Sequence, residues 1–448
     1  MSSDAPNSKR TLLVLSQVYV PDPASVGQHV ADAAAEMVRR GYPVRVICSA
    51  RGYDNPKNKY PLRETRDGVD IRRLPLSSFG KKSIPIRLLG AALFLSQALV
   101  RGLFTPRLGS ILVSTSPPMC SIVAVIISTL RRVPITYWLM DLNPDQVVAL
   151  GKAKESSLGV RLFRWINRRI WTNAAAVVAL DRFMAERVLT RMDISTKLHV
   201  MPPWPLEDYG EPVRHEQNPF RATHGLGGTM VPAAPLHGAE SSAARNENAP
   251  PNDRARNKFV FMYSGNHGPT NPITTLLEAA VRLKDDPRLV FMFIGGGIGK
   301  KEVEQYMTAH PDASIVSLPY QPMNELRYSL SAGDVHLVTV GNEAVGIVHP
   351  CKVYGAMAVA RPVLLLGPTP CHVSDILDQH GIGWHVTHGD VDGCVRVIRE
   401  IVTMPRDRLE EMGRKSQQVV NSSLSKEQLC GRFCDVMEAV LPNTPSRP

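Results

Sequence analysis

The feature that most constrains the fold is a repeated alternation of short apolar runs with segments of helical periodicity. In the first half the runs are TLLVLSQVYV, PVRVICSA, SILVSTS, ITYWLMD and AAVVALD, and amphipathic segments such as GQHVADAAAEMVRRGY separate them. Strands that are separated by helices pair in parallel, and the helices cover both faces of their sheet. The pattern therefore predicts an α/β fold with a doubly wound, Rossmann-like parallel sheet.

The second half repeats this alternation with KFVFMYSG, LVFMFIGGG, VHLVTVG and PVLLLGP, after a proline-rich linker VMPPWPLEDYGEPV. We therefore expect two Rossmann-like domains, 1–204 and 205–424, followed by a segment 425–448 whose helix packs back. The stretch 224–257 is rich in Ala, Pro, Asn and Gly and predicts a disordered insertion. Ligands of such sheets bind at the carboxyl ends of the strands, which predicts a central cleft between the two domains.

Composition excludes several classes of protein. The 448 residues are 44% apolar and 21% charged, which suits two globular domains with substantial cores. The seven cysteines are scattered without metal-ligand spacing, so we expect free thiols in a reducing compartment and no metal. The start of the chain, MSSDAPNSKR, has no apolar core, which argues against a secretory signal and for a cytoplasmic protein.

The net charge of +11 favours an anionic partner. Between Ile71 and Met140 there are nine basic residues and no acid, interleaved with the apolar runs IPIRLLGAALFLSQALVRGLF and CSIVAVIISTL. Such a block suits the surface of an anionic membrane, although a buried helix with snorkelling arginines is the alternative. Arginines or prolines interrupt every stretch of about 20 residues, which disfavours a spanning helix. We expect a peripheral contact with the inner face of the cytoplasmic membrane and no nucleic acid partner.

Two glycine-containing turns in the second half are candidate ligand contacts. In YSGNHG, the turn of Gly265, Asn266 and His267 follows a strand and precedes a helix, a place where anions bind. In FIGGGIGKKEV, Gly296 and Gly297 allow a ligand to approach the backbone closely. The order GxGxxG is absent, which disfavours a dinucleotide. Each turn also has a purely structural interpretation as a tight connection.

A third candidate is HPCK, where His349, Cys351 and Lys352 stand at the start of a predicted helix. A lysine in the first turn opposes the helix dipole, and a bound diphosphate would compensate for it. His349 is therefore a candidate ligand contact, with a cap or core histidine as the alternative.

The first half offers two further candidates. Asp141 ends the apolar strand of YWLMDLNPDQVVALG, so its carboxylate is expected at the carboxyl edge of the sheet as a base or a sugar contact. Asp145 is expected to cap the next helix. In VYVPDPASVGQ, a loop with Asp22 leads to Gly27 at the start of a helix, where glycine permits close approach of a phosphate or sugar. A simple turn is the alternative there.

These motifs together resemble the retaining glycosyltransferases of family 4, which have the GT-B fold. The branch is the one that makes capsular, exopolysaccharide, O-antigen and colanic acid glycans. The resemblance is carried by PDPASVGQ, YWLMDLNPDQVVALG, ALDRFMAERV, MPPW, YSGNHGPTNPITTLLEAA, FIGGG, LPYQP and VGIVHPCKVYGAMAVARPVL, and it covers nearly the whole chain except about 224–257.

The resemblance implies a hexosyl-type, metal-independent transferase without a cofactor, whose donor is a nucleotide-diphosphate sugar such as a UDP-sugar. The acceptor is expected to be a lipid-linked or growing polysaccharide. Three residues are implied in catalysis: Asp141, which faces the transferred sugar or acceptor, and His267 and Lys352, which lie beside the diphosphate. Donor contacts are implied for Gly27, Gly265, Asn266, Gly296, Gly297, Pro319, Tyr320, His349, Cys351 and Lys352.

One position departs from the family pattern. Many members carry a glutamate immediately before AMA that binds the ribose, and Gly355 occupies that place here. Glu343 precedes Gly346 with the spacing of the family's first glutamate, but the interval from Gly346 to AMA is four residues too long. Spacing alone therefore does not make Glu343 catalytic. This departure keeps two alternatives open: a sugar-nucleotide epimerase of the same fold, and a non-catalytic partner in glycan assembly. The oligomeric state is not predicted.

Overall fold

A computed structural model describes residues 9–22, 24–52, 57–77, 84–206, 211–227 and 258–441. The predicted insertion at 224–257 therefore lies, from residue 228 onward, outside the described residues. The strands are β1 Thr11–Leu15, β2 Val44–Ser49, β3 Arg63–Arg66, β4 Val69–Leu74, β5 Leu108–Ser114, β6 Ile135–Leu139, β7 Ala176–Ala179, β8 Leu198–Val200, β9 Phe259–Ser264, β10 Leu289–Ile294, β11 Ile315–Leu318, β12 Val335–Thr339, β13 Val363–Leu366 and β14 Gly383–Val386.

Fifteen α-helices alternate with the strands among the described residues. They are α1 Ser25–Arg39, α2 Ile84–Leu103, α3 Cys120–Arg131, α4 Asp145–Ala149, α5 Leu158–Asn173, α6 Arg182–Leu189, α7 Pro219–Thr223, α8 Thr274–Arg282, α9 Lys300–Ala309, α10 Leu326–Ser331, α11 Lys352–Ala358, α12 His372–His380, α13 Val391–Thr403, α14 Arg406–Ser423 and α15 Lys426–Ala439. No helix in the described part of the chain combines the length and the apolar character needed to cross a membrane.

The chain divides into two compact units. The first unit comprises Met1–Leu206, Glu343–His349 and Leu424–Pro448, and the second comprises Glu207–Asn342 and Pro350–Ser423. The predicted domains assigned 343–349 to the second domain, whereas the structure groups this segment with the first unit. The reason is local bonding, because Leu142 donates its N–H to the carbonyl of Ile347 over 2.9 Å.

The first unit is built on an eight-stranded sheet in the order β3-β4-β2-β1-β5-β6-β7-β8. Its neighbouring strands pair in parallel, except for the antiparallel pair β3 and β4. Strands such as β7, in which all four residues are buried, are continuous apolar runs because helices cover both faces. The prediction of a doubly wound sheet is confirmed here, and β3, β4 and β8 are strands that the sequence analysis missed.

The second unit contains a six-stranded parallel sheet in the order β11-β10-β9-β12-β13-β14. This is the doubly wound order in which the chain reverses direction between β9 and β12. Loops that leave those two strands diverge to opposite faces, so the sheet has a crevice at that edge. The topology thus confirms the prediction of a second Rossmann-like sheet, and it indicates the edge at which a ligand of this unit is expected.

Helix α15 belongs to the core of the first unit. The Phe433 ring lies 4.1 Å from the Trp138 ring and 6.1 Å from the Trp204 ring, measured between centroids. Arg40, which follows the last residue of α1, binds Asp435 and Glu438 of α15. Cys430 and Cys434 of α15 are buried in this core, and all seven cysteines are free thiols, as expected.

Candidate functional site

Two turns meet at the crevice of the second sheet. The turn after β9 begins at Gly265, whose N–H donates to the carbonyl of Ile294 over 2.9 Å, and the N–H of His267 donates to the carbonyl of Gly296 over 2.7 Å. These two N–H groups therefore brace the neighbouring turn. The expectation that the turn exposes its backbone donors to an anion is wrong for Gly265 and His267, because strand pairing continues past the end of β9.

The second turn requires glycines because its backbone lies against the first turn. A Cβ at Gly295 would lie 2.0 Å from the carbonyl oxygen of Gly265, and one at Gly297 would lie 2.3 Å from Oδ1 of Asn266. Gly297 also has a φ of +113°, where side chains are strained. A Cβ at Gly296 would lie 3.0 Å from the Tyr320 ring. Five of the predicted donor contacts are thus brought together.

Lys352 lies across the first turn. A Cβ at Gly265 would come within 2.6 Å of Cε of Lys352, and the φ of +135° at Gly265 likewise requires glycine. The ammonium lies 5.2 Å from the centroid of the Tyr263 ring. No described residue accepts a hydrogen bond from Nζ, and burial lowers the pKa of Lys352 to about 8. A desolvated cation without a counter-ion is a group prepared to bind an anion.

His267 is buried beside this lysine. Its Nδ1 lies 3.2 Å from the carbonyl oxygen of Gly296, and its buried Nε2 has no partner among the described residues. Burial, with a smaller contribution from the positive charges of Lys352 and Lys300, lowers the pKa of His267 to about 4. The imidazole is therefore neutral at pH 7. When Nδ1 donates to Gly296, Nε2 keeps a lone pair and accepts a hydrogen bond, so this geometry favours a hydroxyl partner over the predicted diphosphate.

Two further residues complete this site, and the sequence analysis missed the first of them, Tyr263. Tyr263, the penultimate residue of β9, packs its ring 4.7 Å from that of His267 and donates its hydroxyl to the carbonyl of Asn266. Lys300 donates Nζ to the carbonyls of Gly295 and Leu318, so its charge stabilises the turn. The alternation of β9 places Tyr263 on one face, but its ring contacts are not encoded in a local motif.

Asp141 follows β6 in the first unit. Its N–H donates to Oγ1 of Thr115 over 3.2 Å, and its backbone forms an antiparallel bridge with Val348. No described side chain binds the carboxylate, and burial raises the pKa of Asp141 to about 6. A carboxyl group with a raised pKa at the carboxyl edge of a parallel sheet is a candidate base.

His349 is held within the first unit. Its Nδ1 lies 2.8 Å from Oδ2 of Asp181, which also caps α6 by accepting the N–H of Met184. The same segment is tied down at Val345, whose carbonyl accepts Nε of Arg187 over 2.7 Å. The structure thus gives His349 a carboxylate partner that the sequence analysis did not anticipate.

The remaining candidates have simpler surroundings. Gly27 lies in α1 against the backbone of the preceding loop, because a Cβ there would come 3.1 Å from the nitrogen of Tyr19. The sequence predicted that Asp145 caps α4, and this is wrong: Asp145 is the first residue of the helix, and its carboxylate binds Arg191 over 2.6 Å. Cys351 is exposed at the start of α11. Pro319, which follows β11, precedes the half-exposed Tyr320.

Comparison with protein families gives two matches that follow one another along the chain. Residues 25–204 match the model described as a glycosyl transferase 4-like domain. Residues 244–419 match the model described as glycosyl transferases group 1.

Two curated relatives are similar in sequence. The probable glycosyltransferase WbjE of Pseudomonas aeruginosa is 25% identical over 301 residues, which cover 67% of this chain and 67% of the relative. The putative colanic acid biosynthesis glycosyl transferase WcaI of Escherichia coli K12 is 27% identical over 196 residues, or 44% of this chain and 46% of the relative. The chain thus spans between about half and two thirds of the relatives that it matches.

Solved structures share the fold at low identity. Sucrose-phosphate synthase from Thermosynechococcus elongatus has a TM-score of 0.70 at 13% identity, covering 96% of this chain and 99% of that one. HepE from Anabaena, solved with UDP and glucose, has a TM-score of 0.66 at 15% identity, covering 96% and 100%. WaaG, described as a glycosyltransferase of lipopolysaccharide biosynthesis, has a TM-score of 0.63 at 12% identity, covering 95% and 99%.

Proposed function

Because the chain belongs to the GT-B glycosyltransferases, with a 4-like domain followed by a group 1 domain, we propose that it transfers a sugar from a nucleotide-diphosphate sugar to a polysaccharide acceptor. The observation that carries the proposal is the Lys352 ammonium, which lies over the Gly265 turn without a described counter-ion. The relative named for colanic acid biosynthesis supports a cell-surface glycan as product, and HepE with UDP supports a UDP-sugar as donor.

The chemistry follows from the charge that the reaction develops. Transfer breaks the bond between the anomeric carbon and a diphosphate oxygen, so negative charge grows on the leaving nucleoside diphosphate. Lys352 supplies a positive charge at that place, which supports a metal-independent reaction. Neutral His267 accepts a hydrogen bond from a hydroxyl of the donor through Nε2.

Retention of configuration is the second part of the proposal. The acceptor hydroxyl attacks on the face that the diphosphate leaves, and the leaving phosphate oxygen takes the hydroxyl proton. No protein nucleophile is required, unlike in glycoside hydrolysis with paired carboxylates. Asp141, largely ionised at pH 7 with a pKa of about 6, positions the acceptor hydroxyl or the transferred hexose.

We further propose a lipid-linked acceptor, reached from the inner face of the cytoplasmic membrane. The support is an α2–α3 patch of exposed apolar residues: Val100 at 55%, Phe104 at 80%, Ile126 at 37% and Leu130 at 65% exposure. Arg101, Arg107 and Arg132 are exposed on the same or adjoining elements. The basic block is smaller than the sequence suggested, because Arg73 is fully buried and binds Glu64. Lys81 and Lys82 lie outside the described residues.

The test uses the purified full chain with a panel of UDP- and GDP-sugars and a lipid-diphosphate sugar acceptor. Release of nucleoside diphosphate measures transfer, NMR of the new glycosidic bond reports its configuration, and EDTA tests independence from metal. Lys352→Met is expected to abolish binding of the donor. Lys415→Met, at an exposed position of α14 in the same unit, is the matched control. Binding of no donor at all would overturn the proposal.

A further inference from the structure

A basic cavity lies in the first unit, apart from the candidate site. It has a volume of about 480 Å³ and adjoins α5 and the end of α6. Three of its six lining residues are arginines and one is acidic; the set is Glu155, Arg164, Asn167, Arg168, Trp171 and Arg191. The lining thus carries a net positive charge, and neither the family models nor the proposed function assigns it a role.

Hydrogen-bond donors without acceptors accumulate in this cavity. Trp171 is 1% exposed, and its buried Nε1–H has no acceptor among the described residues. The buried Nε of Arg164 is in the same situation. No described carboxylate binds the guanidinium of Arg168. Unpaired buried donors are costly, so they indicate a ligand that supplies acceptor oxygens.

The charges define the ligand further. Nη2 of Arg164 lies 3.0 Å from Oε1 of Glu155, whose side chain is 70% exposed. Arg191 lies 2.6 Å from the buried carboxylate of Asp145. The third arginine remains uncompensated, which fits one or two negative charges on the ligand. Arginine forks bind phosphate oxygens in pairs, so a phosphate group fits this donor set.

The exposed face of α5 indicates a membrane as the source of such a phosphate. Leu158, Leu162 and Trp165, at helical spacings of four and three residues, are 80%, 49% and 47% exposed. The guanidinium of Arg169 lies 5.3 Å from the Trp165 ring, and α5 contains no acid. An exposed stripe of leucine, tryptophan and arginine is typical of helices that lie in a membrane interface. Helix α5 packs against α3, which packs against α2, so the stripe belongs to the same helix layer as the α2–α3 patch.

We propose that the α5 cavity binds the phosphate of an anionic phospholipid headgroup, while Leu158, Leu162 and Trp165, which lie on the neighbouring exposed face of the helix beyond Arg168, insert into the same membrane. The cavity supplies arginine and indole donors to the phosphate, while the stripe contacts acyl chains and glycerol. This inference deepens the proposed membrane location. It is independent of sugar transfer, because no residue of the cavity belongs to the donor site.

The experiment measures flotation of the full chain with phosphatidylcholine vesicles, with and without phosphatidylglycerol. The double variant Arg164→Gln/Arg168→Gln is compared with Arg396→Gln/Arg399→Gln, which removes two exposed charges from α13 of the second unit. We expect the first variant to lose at least about tenfold in affinity for the anionic vesicles, and the second to bind like the unmodified protein. Equal losses of vesicle affinity in both variants would show that net charge alone causes the binding, and would overturn the proposed phosphate site.

Two further arms complete the test. Trp165→Ser and the exposed Arg168→Gln alone, which are not expected to disturb folding, should each weaken vesicle binding. Titration with inorganic phosphate distinguishes the source: competition at micromolar phosphate would indicate a free anion and overturn the lipid assignment. UDP binding, measured on the same variants, should be unchanged. A loss of vesicle binding with intact UDP binding therefore separates this proposal from the proposed function.

Discussion

Replacing Lys352 by methionine should make the second unit more stable while removing its function. Burial lowers the pKa of Lys352 from 10.5 to about 8. A tenfold change in a protonation equilibrium corresponds to about 1.36 kcal/mol, so the charged lysine costs the folded protein about 3 kcal/mol at pH 7. Partial solvent access reduces this figure. We expect Lys352→Met to raise the free energy of unfolding by about 2 kcal/mol at pH 7.

The effect has a defined pH window. In the unfolded chain the lysine keeps its proton up to pH 10.5, whereas in the folded protein it loses it near pH 8. The penalty is therefore complete below pH 8, shrinks between pH 8 and 10.5, and vanishes above. The unmodified protein should gain stability relative to the variant across this window, and the difference between them should approach zero near pH 10.5.

The assay is hydrogen exchange with mass spectrometry at increasing urea, read on peptides from β9 and β13 of the second unit. Lys415→Met is the control, since it removes only an exposed ion pair with Glu411. If Lys352→Met is no more stable than the unmodified protein at pH 7, or if its gain in stability persists at pH 10.5, the inference that the Lys352 ammonium is desolvated is refuted. In the unmodified protein, affinity for UDP should fall above pH 8, because binding then requires uptake of a proton.

Three other changes test separate parts of the structure. Gly355→Ala should raise the free energy of unfolding by about 0.5–1 kcal/mol in urea titration, because a Cβ at this helical position meets only ordinary contacts. Arg221→Met should lower that free energy by about 3–5 kcal/mol in the same titration, because it leaves the buried carboxylate of Asp334 without its arginine. Asp141→Asn should reduce kcat in the transfer assay and remove the rise in activity through pH 6 that ionisation of this group produces.

The sequence predicted the two sheets because their strands are buried on both faces and therefore read as continuous apolar runs. It missed β3 because an edge strand is half exposed and lacks such a run. A local indication was present, since Asp67 and Gly68 have φ values of +50° and +76° and form the Asp-Gly turn of a hairpin. Turn chemistry, rather than hydrophobicity, would have located this strand.

The candidate site was predictable where its parts are local. The glycine turns and Lys352 stand directly after strands or at a helix start, and sheet topology brings such places to one edge. The partner of His349 was not predictable, because Asp181 is 168 residues away in the chain. The pKa of Lys352 also depends on what covers the side chain, which the sequence does not give.

The place of α15 in the first unit also governs how the protein is made. A ribosome delivers Trp138 and Trp204 long before Phe433, against which both rings pack. During synthesis the two indoles therefore lack their cover until almost the whole chain has emerged, a state in which nascent chains depend on chaperones. A nonsense mutation late in the gene would consequently damage the domain that was translated first.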